Sequence, residues 1–343
     1  MSFTKEKRES IKRYLLEKIS SGETDFVRKT SEAFFISDKT VYKYLEDLTR
    51  SRILTKDKRK YSLTETTVSF SLSGERIKKT GEDIIYAEHI YPLIEDLPDN
   101  VIHMWNYAFT EMMNNVIDHS DASNAVLLIS RNYLCTRIAI KDNGIGIFKK
   151  IKEHYRFDSL QDAVAELFKG KLTTDSAHHS GEGIFFTSRI MDVFAAVSGG
   201  LIFTHDKYEE LAEELKNIPG LEDWQTLSGT TIYMELSNFS KKTAGEIFDQ
   251  FADADGGFTR TRIPLKHIFE SDPVSRSQAK RLCRRFESFR EVELDFLNIG
   301  SIGQGFAHEL FVVFSNSHPS TKLIPVNTCD SVQKMIYHVR NSV

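Results

Sequence analysis

The chain has 343 residues, 40% of them hydrophobic and 27% charged, enough for two or three globular units with cores of their own. No apolar run approaches the roughly 20 residues of a membrane span, and the first residues are charged where a signal peptide would be apolar. Cys135, Cys283 and Cys329 are scattered and lack a C-x-x-C pair, and residues 1–65 carry 16 Lys/Arg against 11 Asp/Glu while the whole chain has a net charge of −4. These features set aside membrane, disulfide-framework and structural-zinc classes, fit a cytoplasmic, reducing location, and mark the N-terminal end as the one that faces nucleic acid.

In chain order, Ile11, Leu15, Leu16 and Ile19 recur at helical spacing and predict a first helix. A second, from about Asp25 to Phe35, carries Val27, Ala33 and Phe34. Ser37 caps a third, with Val41, Tyr44, Leu45 and Leu48 turned inward and Lys39, Lys43 and Arg50 outward. A strand over 52–55, the basic tip Lys56 to Lys60 and a strand over 61–64 complete a hairpin. Helix, helix, recognition helix and basic hairpin is the outline of a winged helix-turn-helix over 1–66. Lys39, Thr40 and Lys43 are then the groove-facing residues, and Lys58, Arg59 and Lys60 the wing contacts to DNA phosphates. A small basic domain that meets only proteins is the competing reading.

Val68, Phe70 and Leu72 alternate with serines as one more short strand, and 73–81, with two glycines and Ile77 alone as an apolar anchor, reads as a linker. Helical patterns then cover 82–100 and 101–119. Strands are expected at 126–129, 137–140, 201–203 and 230–234, and a lysine-rich helix at 149–170, which makes an α/β layer over 83–237. On the second of those helices Glu111, Asn115 and His119 are four apart and share a face. The Asn115 amide oxygen suits Mg²⁺, and Glu111 suits activation of a group attacking a phosphate. Asp142 ends a strand and opens Asp-x-Gly-x-Gly with Gly144 and Gly146. Such an aspartate accepts a hydrogen bond from an adenine amino group. Gly181 and Gly183 open an apolar helix whose free N–H groups suit phosphates, and Thr230 enters a strand within reach of the adenine side.

These four elements, in this order, resemble the motif set of the GHKL ATPases, and Glu111-x-x-x-Asn115-x-x-x-His119 is similar to the anti-sigma-factor serine kinases among them. The resemblance implies a Bergerat α/β sandwich over 83–237 that binds ATP with Mg²⁺. It makes Glu111 the general base, Asn115 the metal ligand, Asp142 the adenine contact, and Gly144, Gly146, Gly181 and Gly183 the glycine boxes. It also implies a lid between the glycine boxes, with Lys171, Thr173 and Thr174 as candidate phosphate contacts and a solvated loop as the alternative. One departure is Phe185-Phe186 after the second box, where the family often has smaller residues. His178 and His179 lack a third ligand and are read as solvated.

Residues 256–343 resemble a STAS-like α/β domain through Ser275 to Leu282, Leu294-Asp295-Phe296 and Ile302 to Phe311. In STAS-type antagonists a serine at a helix start receives phosphate. Here that place is Gly303-Gln304-Gly305, which argues against phosphotransfer onto this unit. A dense basic face comprises Arg276, Lys280, Arg281, Arg284 and Arg285. The sequence thus reads as a multidomain α/β regulator of transcription that binds DNA and either hydrolyses ATP or transfers its phosphate to a protein. An ATP-binding adaptor, a protein partner and a homodimer are left open, and no membrane is involved.

Overall fold

The computed structural model describes residues 3–58, 60–172, 181–205, 208–218, 222–253, 255–269 and 271–341, and over these the chain is a multidomain mixed α/β protein with several sheets. At the N-terminal end Thr4 accepts from the Lys7 amide and opens the helix Lys5–Ser20. The helices Phe26–Phe34 and Asp38–Arg50 follow, the latter capped by Ser37, whose hydroxyl accepts from the Thr40 amide at 3.3 Å. Strands β1 (Leu54–Asp57) and β2 (Lys60–Leu63) pair antiparallel. Leu15, Leu16, Val41, Leu45, Leu48 and Leu54 form the core of this unit, and Tyr133 and Leu134 pack against it from outside. The apolar Ala33 is exposed, and Thr30 takes the buried position on the second helix because its hydroxyl is satisfied by the Phe26 carbonyl at 2.7 Å. Lys39, Lys43, Lys58 and Lys60 are exposed and Thr40 is half-buried, while Arg59 lies outside the described residues.

The linker expected at 73–81 is instead structured. Strand β3 (Thr66–Ser73) pairs along its whole length with β4 (Asn124–Arg131), and Ser73 caps the helix Gly74–Thr80, which buries Ile77. One apolar anchor is sufficient there because the sheet supplies the surface it packs on. Four more strands, β5 (Cys135–Asp142), β6 (Val193–Ser198), β7 (Leu201–Phe203) and β8 (Thr231–Ser237), complete a six-stranded antiparallel sheet of order β3-β4-β5-β8-β6-β7. The sheet therefore begins ahead of residue 83.

The period-2 geometry of a strand divides this sheet into two faces. Ile138, Ile140, Ile232 and Met234 pack toward the 21-residue helix Asp99–His119, which buries Met104, Trp105, Ala108, Phe109, Met112 and Met113. Ala139, Ala195, Val197 and Tyr233 look the other way, onto Leu211 and Leu215 of the helix Tyr208–Lys216 and onto Trp224. The lysine-rich stretch is two helices, Ile147–Tyr155 and Leu160–Leu167. Arg156 at φ 56 stops the first, and a Ser159/Asp162 capping box starts the second.

Beyond the helix Ala244–Phe251 lies a three-stranded parallel sheet, β9 (Arg260–Pro264), β10 (Glu291–Asp295) and β11 (Lys322–Val326), in the order β11-β10-β9. Its crossovers are helical, as parallel pairing requires. The first runs through Arg276–Cys283, and the second runs through Gln304–His308 into a π-helical stretch Glu309–Phe314. The helix Asp330–Asn341 packs Val332, Ile336 and Val339 behind them. The central sheet and this unit share one continuous apolar cluster, from Leu72 through Phe185 and Phe258 to Val339.

Candidate functional site

A cleft of about 250 Å³ lies where the C-terminal half of the Asp99–His119 helix faces the end of β5, the start of β8 and the first turn of the helix Gly183–Ile190. Glu111, Asn115 and His119 line it together, and so do Asp142, Gly146, Gly181, Gly183 and Thr230. Helical spacing explains the first three, since residues four apart share a face. The others come from loops at strand ends, where backbone turns rather than ladders decide position.

Asp142 is the polar floor. It is 3% exposed, its carboxylate accepts from the Gly144 amide at 2.7 Å, and its own N–H donates to the Thr230 carbonyl at 2.9 Å. Burial pushes its pKa above the ordinary aspartate range, and hydrogen bonds from Gly144 and Thr230 only partly oppose that. The Thr230 hydroxyl also accepts from the Ile147 amide at 2.9 Å and so ties the start of β8 to the helix beginning at Ile147. Gly144 stands outside the lining. Its contribution is the N–H that orients the carboxylate.

Glu111 meets the start of the Gly183–Ile190 helix closely. A Cβ built on Gly183 would lie 2.1 Å from Glu111 Oε2, so only glycine admits the carboxylate at that place. Burial raises the pKa of Tyr107, with Glu111 and Glu182 adding to it, and burial likewise raises that of Glu182 against the attraction of Lys171. The helix start is thus surrounded by acidic and phenolic groups.

Lys150 escaped the sequence reading, hidden in a lysine-rich run. It lies one turn into the helix that follows Gly146, lines the cleft, and donates from Nζ to the His119 carbonyl at 2.7 Å. A cation four residues after the second glycine of Asp-x-Gly-x-Gly was the available signal. Apolar walls from Ile147, Ile151, Leu167, Ile184 and Ile232 complete the site.

Lys171, read from sequence as a phosphate contact, is turned away. Its ammonium donates to the Ser288 carbonyl at 3.0 Å and sits over the Phe258 and Phe289 rings at 5.4 and 4.9 Å. Burial lowers its pKa against the attraction of Glu182 and Asp253, and the ring faces offset part of that cost. Thr173, Thr174, His178 and His179 lie outside the described residues. Phe185 and Phe186, too bulky for a small-residue turn, pack with Phe248, Phe251 and Phe258 in an aromatic seam between the sheet and the C-terminal unit.

The cleft therefore offers a buried acceptor, apolar walls, a carboxylate, a carboxamide and a lysine ammonium. Among the described residues no group of three His, Cys, Asp or Glu could cage a metal. A hard cation at Asn115 would draw its remaining ligands from a bound molecule and water. Among the same residues no helix is long and apolar enough to cross a membrane. Cys135, Cys283 and Cys329 are all free thiols.

Residues 278–333 match a family described as a STAS-like domain of unknown function, DUF4325, and the C-terminal unit around β10 and β11 is accordingly STAS-like. No curated protein matches the chain.

Proposed function

We propose that the chain is an ATP-binding regulator of transcription, built from a winged helix-turn-helix at its N-terminal end, a GHKL-type ATP domain around the six-stranded sheet and the STAS-like unit. In this reading the nucleotide state of the cleft governs how the units are arranged on DNA. The observation that carries it is the convergence of Glu111, Asn115, Asp142, Gly146, Gly183 and Thr230, scattered over some 120 positions of sequence, on one cleft.

Each residue then has a chemical part. Asp142 accepts from the adenine amino group, since a buried carboxylate retains acceptor capacity after its bonds to Gly144 and Thr230. The apolar walls take the faces of the base. Lys150 gives the anionic end of the ligand a nearby cation, and Glu111 orients or deprotonates the group that attacks the γ-phosphate. Asn115 would hold Mg²⁺, which supplies neutralisation of phosphate charge when bound. The exposed Lys39, Lys43, Lys58 and Lys60, with Thr40, favour contact with DNA phosphates and groove edges.

The deciding measurement is ATP binding and phosphate release by the wild type and by Asn115→Ala, with and without random duplex DNA. Binding with DNA-dependent hydrolysis, both lost in the variant, is expected. Wild-type protein that binds no nucleotide would end the reading. Radiolabel that passes from ATP to a protein acceptor, instead of appearing as free phosphate, would convert the output to that of a serine/threonine protein kinase.

A further inference from the structure

One strip of chain has the cleft on one side and the STAS-like unit on the other. Leu167, Gly170 and Leu172 line the cleft. Between and beside them, Glu166 and Lys169 form an ion pair that is almost wholly buried, at 2% and 1% exposure. The Lys169 ammonium also donates to the Arg284 carbonyl at 2.8 Å, and the Lys169 carbonyl accepts from the Thr261 hydroxyl at 2.8 Å. The Arg285 guanidinium reaches Glu166 at 3.5 Å and donates to the Lys171 carbonyl. Lys171 returns the contact through the Ser288 carbonyl.

The backbone confirms that this strip is held under constraint. Lys171 at φ 52 and Arg285 at φ 65 both occupy the left-handed region without being glycine, and they are bonded to each other. Gly170, at φ 80, is wedged so tightly that an added Cβ would stand 2.8 Å from Phe185 on the sheet side and 2.8 Å from Phe258 on the other. A buried ion pair of this sort requires every member to be satisfied, because removal of one leaves a charge without compensation. The STAS-like unit is thus bonded directly to the segment that carries Leu167, Gly170 and Leu172.

We propose that Glu166, Lys169, Thr261 and Arg285 are positioning residues through which the STAS-like unit braces one wall of the cleft, so that the state of that unit sets nucleotide affinity and nucleotide in turn tightens that unit. This rests on the nucleotide reading of the cleft. It assigns the STAS-like unit the role of a regulator of the site, and the unit needs no phosphoacceptor hydroxyl to play it. Linkage makes the coupling reciprocal, which a merely structural contact does not predict.

The test uses the full chain as wild type, Arg285→Ala, Thr261→Val and Asn115→Ala. Affinity for a fluorescent ATP analogue with Mg²⁺ is titrated, amide exchange is followed over 166–172 and 284–294 with and without nucleotide, and each variant is melted to establish that it folds. Thr261→Val is nearly isosteric and stands in should Arg285→Ala not fold. Expected are an affinity loss of roughly tenfold in either brace variant, faster exchange over 166–172, and nucleotide-induced slowing over 284–294 that the brace variants lose. Wild-type affinity in both folded brace variants, with binding lost in Asn115→Ala, would overturn the brace and leave the cleft reading intact. Absence of nucleotide binding by the wild type would overturn both.

Discussion

At the residue scale, burial and hydrogen bonding make Asp142 separable from the stability of the fold. Its carboxyl titrates above the usual range because burial penalises the charge. A raised acid pKa contributes stability at low pH that is lost as pH rises through the folded value, so at neutral pH the ionised group is a cost to folding. Asp142→Asn removes that cost but turns one acceptor into a donor, which in the proposed ATP reading would face the adenine amino group with a second donor. The expected outcome is an unchanged or higher melting temperature together with an affinity loss of at least about tenfold, or ~1.4 kcal/mol, in an ATP-analogue titration. For the wild type, affinity should weaken as pH is lowered through the raised pKa, at a higher pH than an exposed aspartate would give. Gly183→Ala separates binding from chemistry in a different way. The added methyl meets the far end of the Glu111 side chain, which can swing aside at little cost to the fold. Melting should hardly change, and if Glu111 has the proposed role, kcat for phosphate release should drop by at least about tenfold with KM nearly unaltered, the pattern of a group that acts in the transition state. Equal losses in KM and kcat would count against the role given to Glu111.

Secondary elements were legible in proportion to how one-sided their burial is. The Asp99–His119 helix shows a clear stripe because one face meets the sheet, and the same periodicity put Glu111, Asn115 and His119 together. Strand β6 (Val-Phe-Ala-Ala-Val-Ser) went unread because nearly every residue is buried on one face or the other, which erases the alternation that marks a strand. Helix Gly74–Thr80 was illegible for the opposite reason, having a single buried residue and owing its existence to β3 beside it. Lys171 shows the limit of reading charge as function, since nothing local announces that Phe258 and Phe289 will flank it. The break between the helices Ile147–Tyr155 and Leu160–Leu167 was present as Ser159-x-x-Asp162 but was outweighed by the run of helix formers. That capping box has a measurable consequence. Ser159→Ala should lower stability by about 1 kcal/mol in denaturant unfolding. Because its helix carries Glu166 and Leu167, nucleotide affinity should fall with it; a stability loss without any change in affinity would detach this helix from the cleft.

At the scale of the whole molecule, β5 is the element that touches both proposed functions. Its Asp142 end forms the floor of the cleft, and its other end follows the turn in which Tyr133 and Leu134 pack on the core of the N-terminal unit. The Tyr133 hydroxyl donates to Glu9 at 2.8 Å, and its ring lies 5.4 Å from that of Phe239, over which Arg13 of the N-terminal unit sits at 5.5 Å. Burial, reinforced by Glu9, pushes the Tyr133 pKa up to about 12, so the hydroxyl keeps its proton throughout the neutral range. Glu9 is affected first by burial, which raises its pKa, but hydrogen bonds from Lys12 and Tyr133 outweigh this and leave it lowered. A lowered carboxylate pKa contributes stability above the unfolded value and loses it as pH falls through the folded one, so this contact persists to the acid side of the ordinary range. β5 is hydrogen-bonded on both sides within the six-stranded sheet and its eight residues span roughly 25 Å, which makes it the direct backbone link between the two ends. Tyr133→Ala should therefore leave ATP-analogue affinity within about twofold of wild type while erasing the nucleotide dependence of DNA affinity, a coupling that typically amounts to 5- to 150-fold. Fluorescence anisotropy of labelled duplex, titrated with and without Mg-ATP at fixed salt, measures it. Nucleotide dependence that survives intact in Tyr133→Ala would mean that the N-terminal unit senses the cleft by another route or not through the sheet at all.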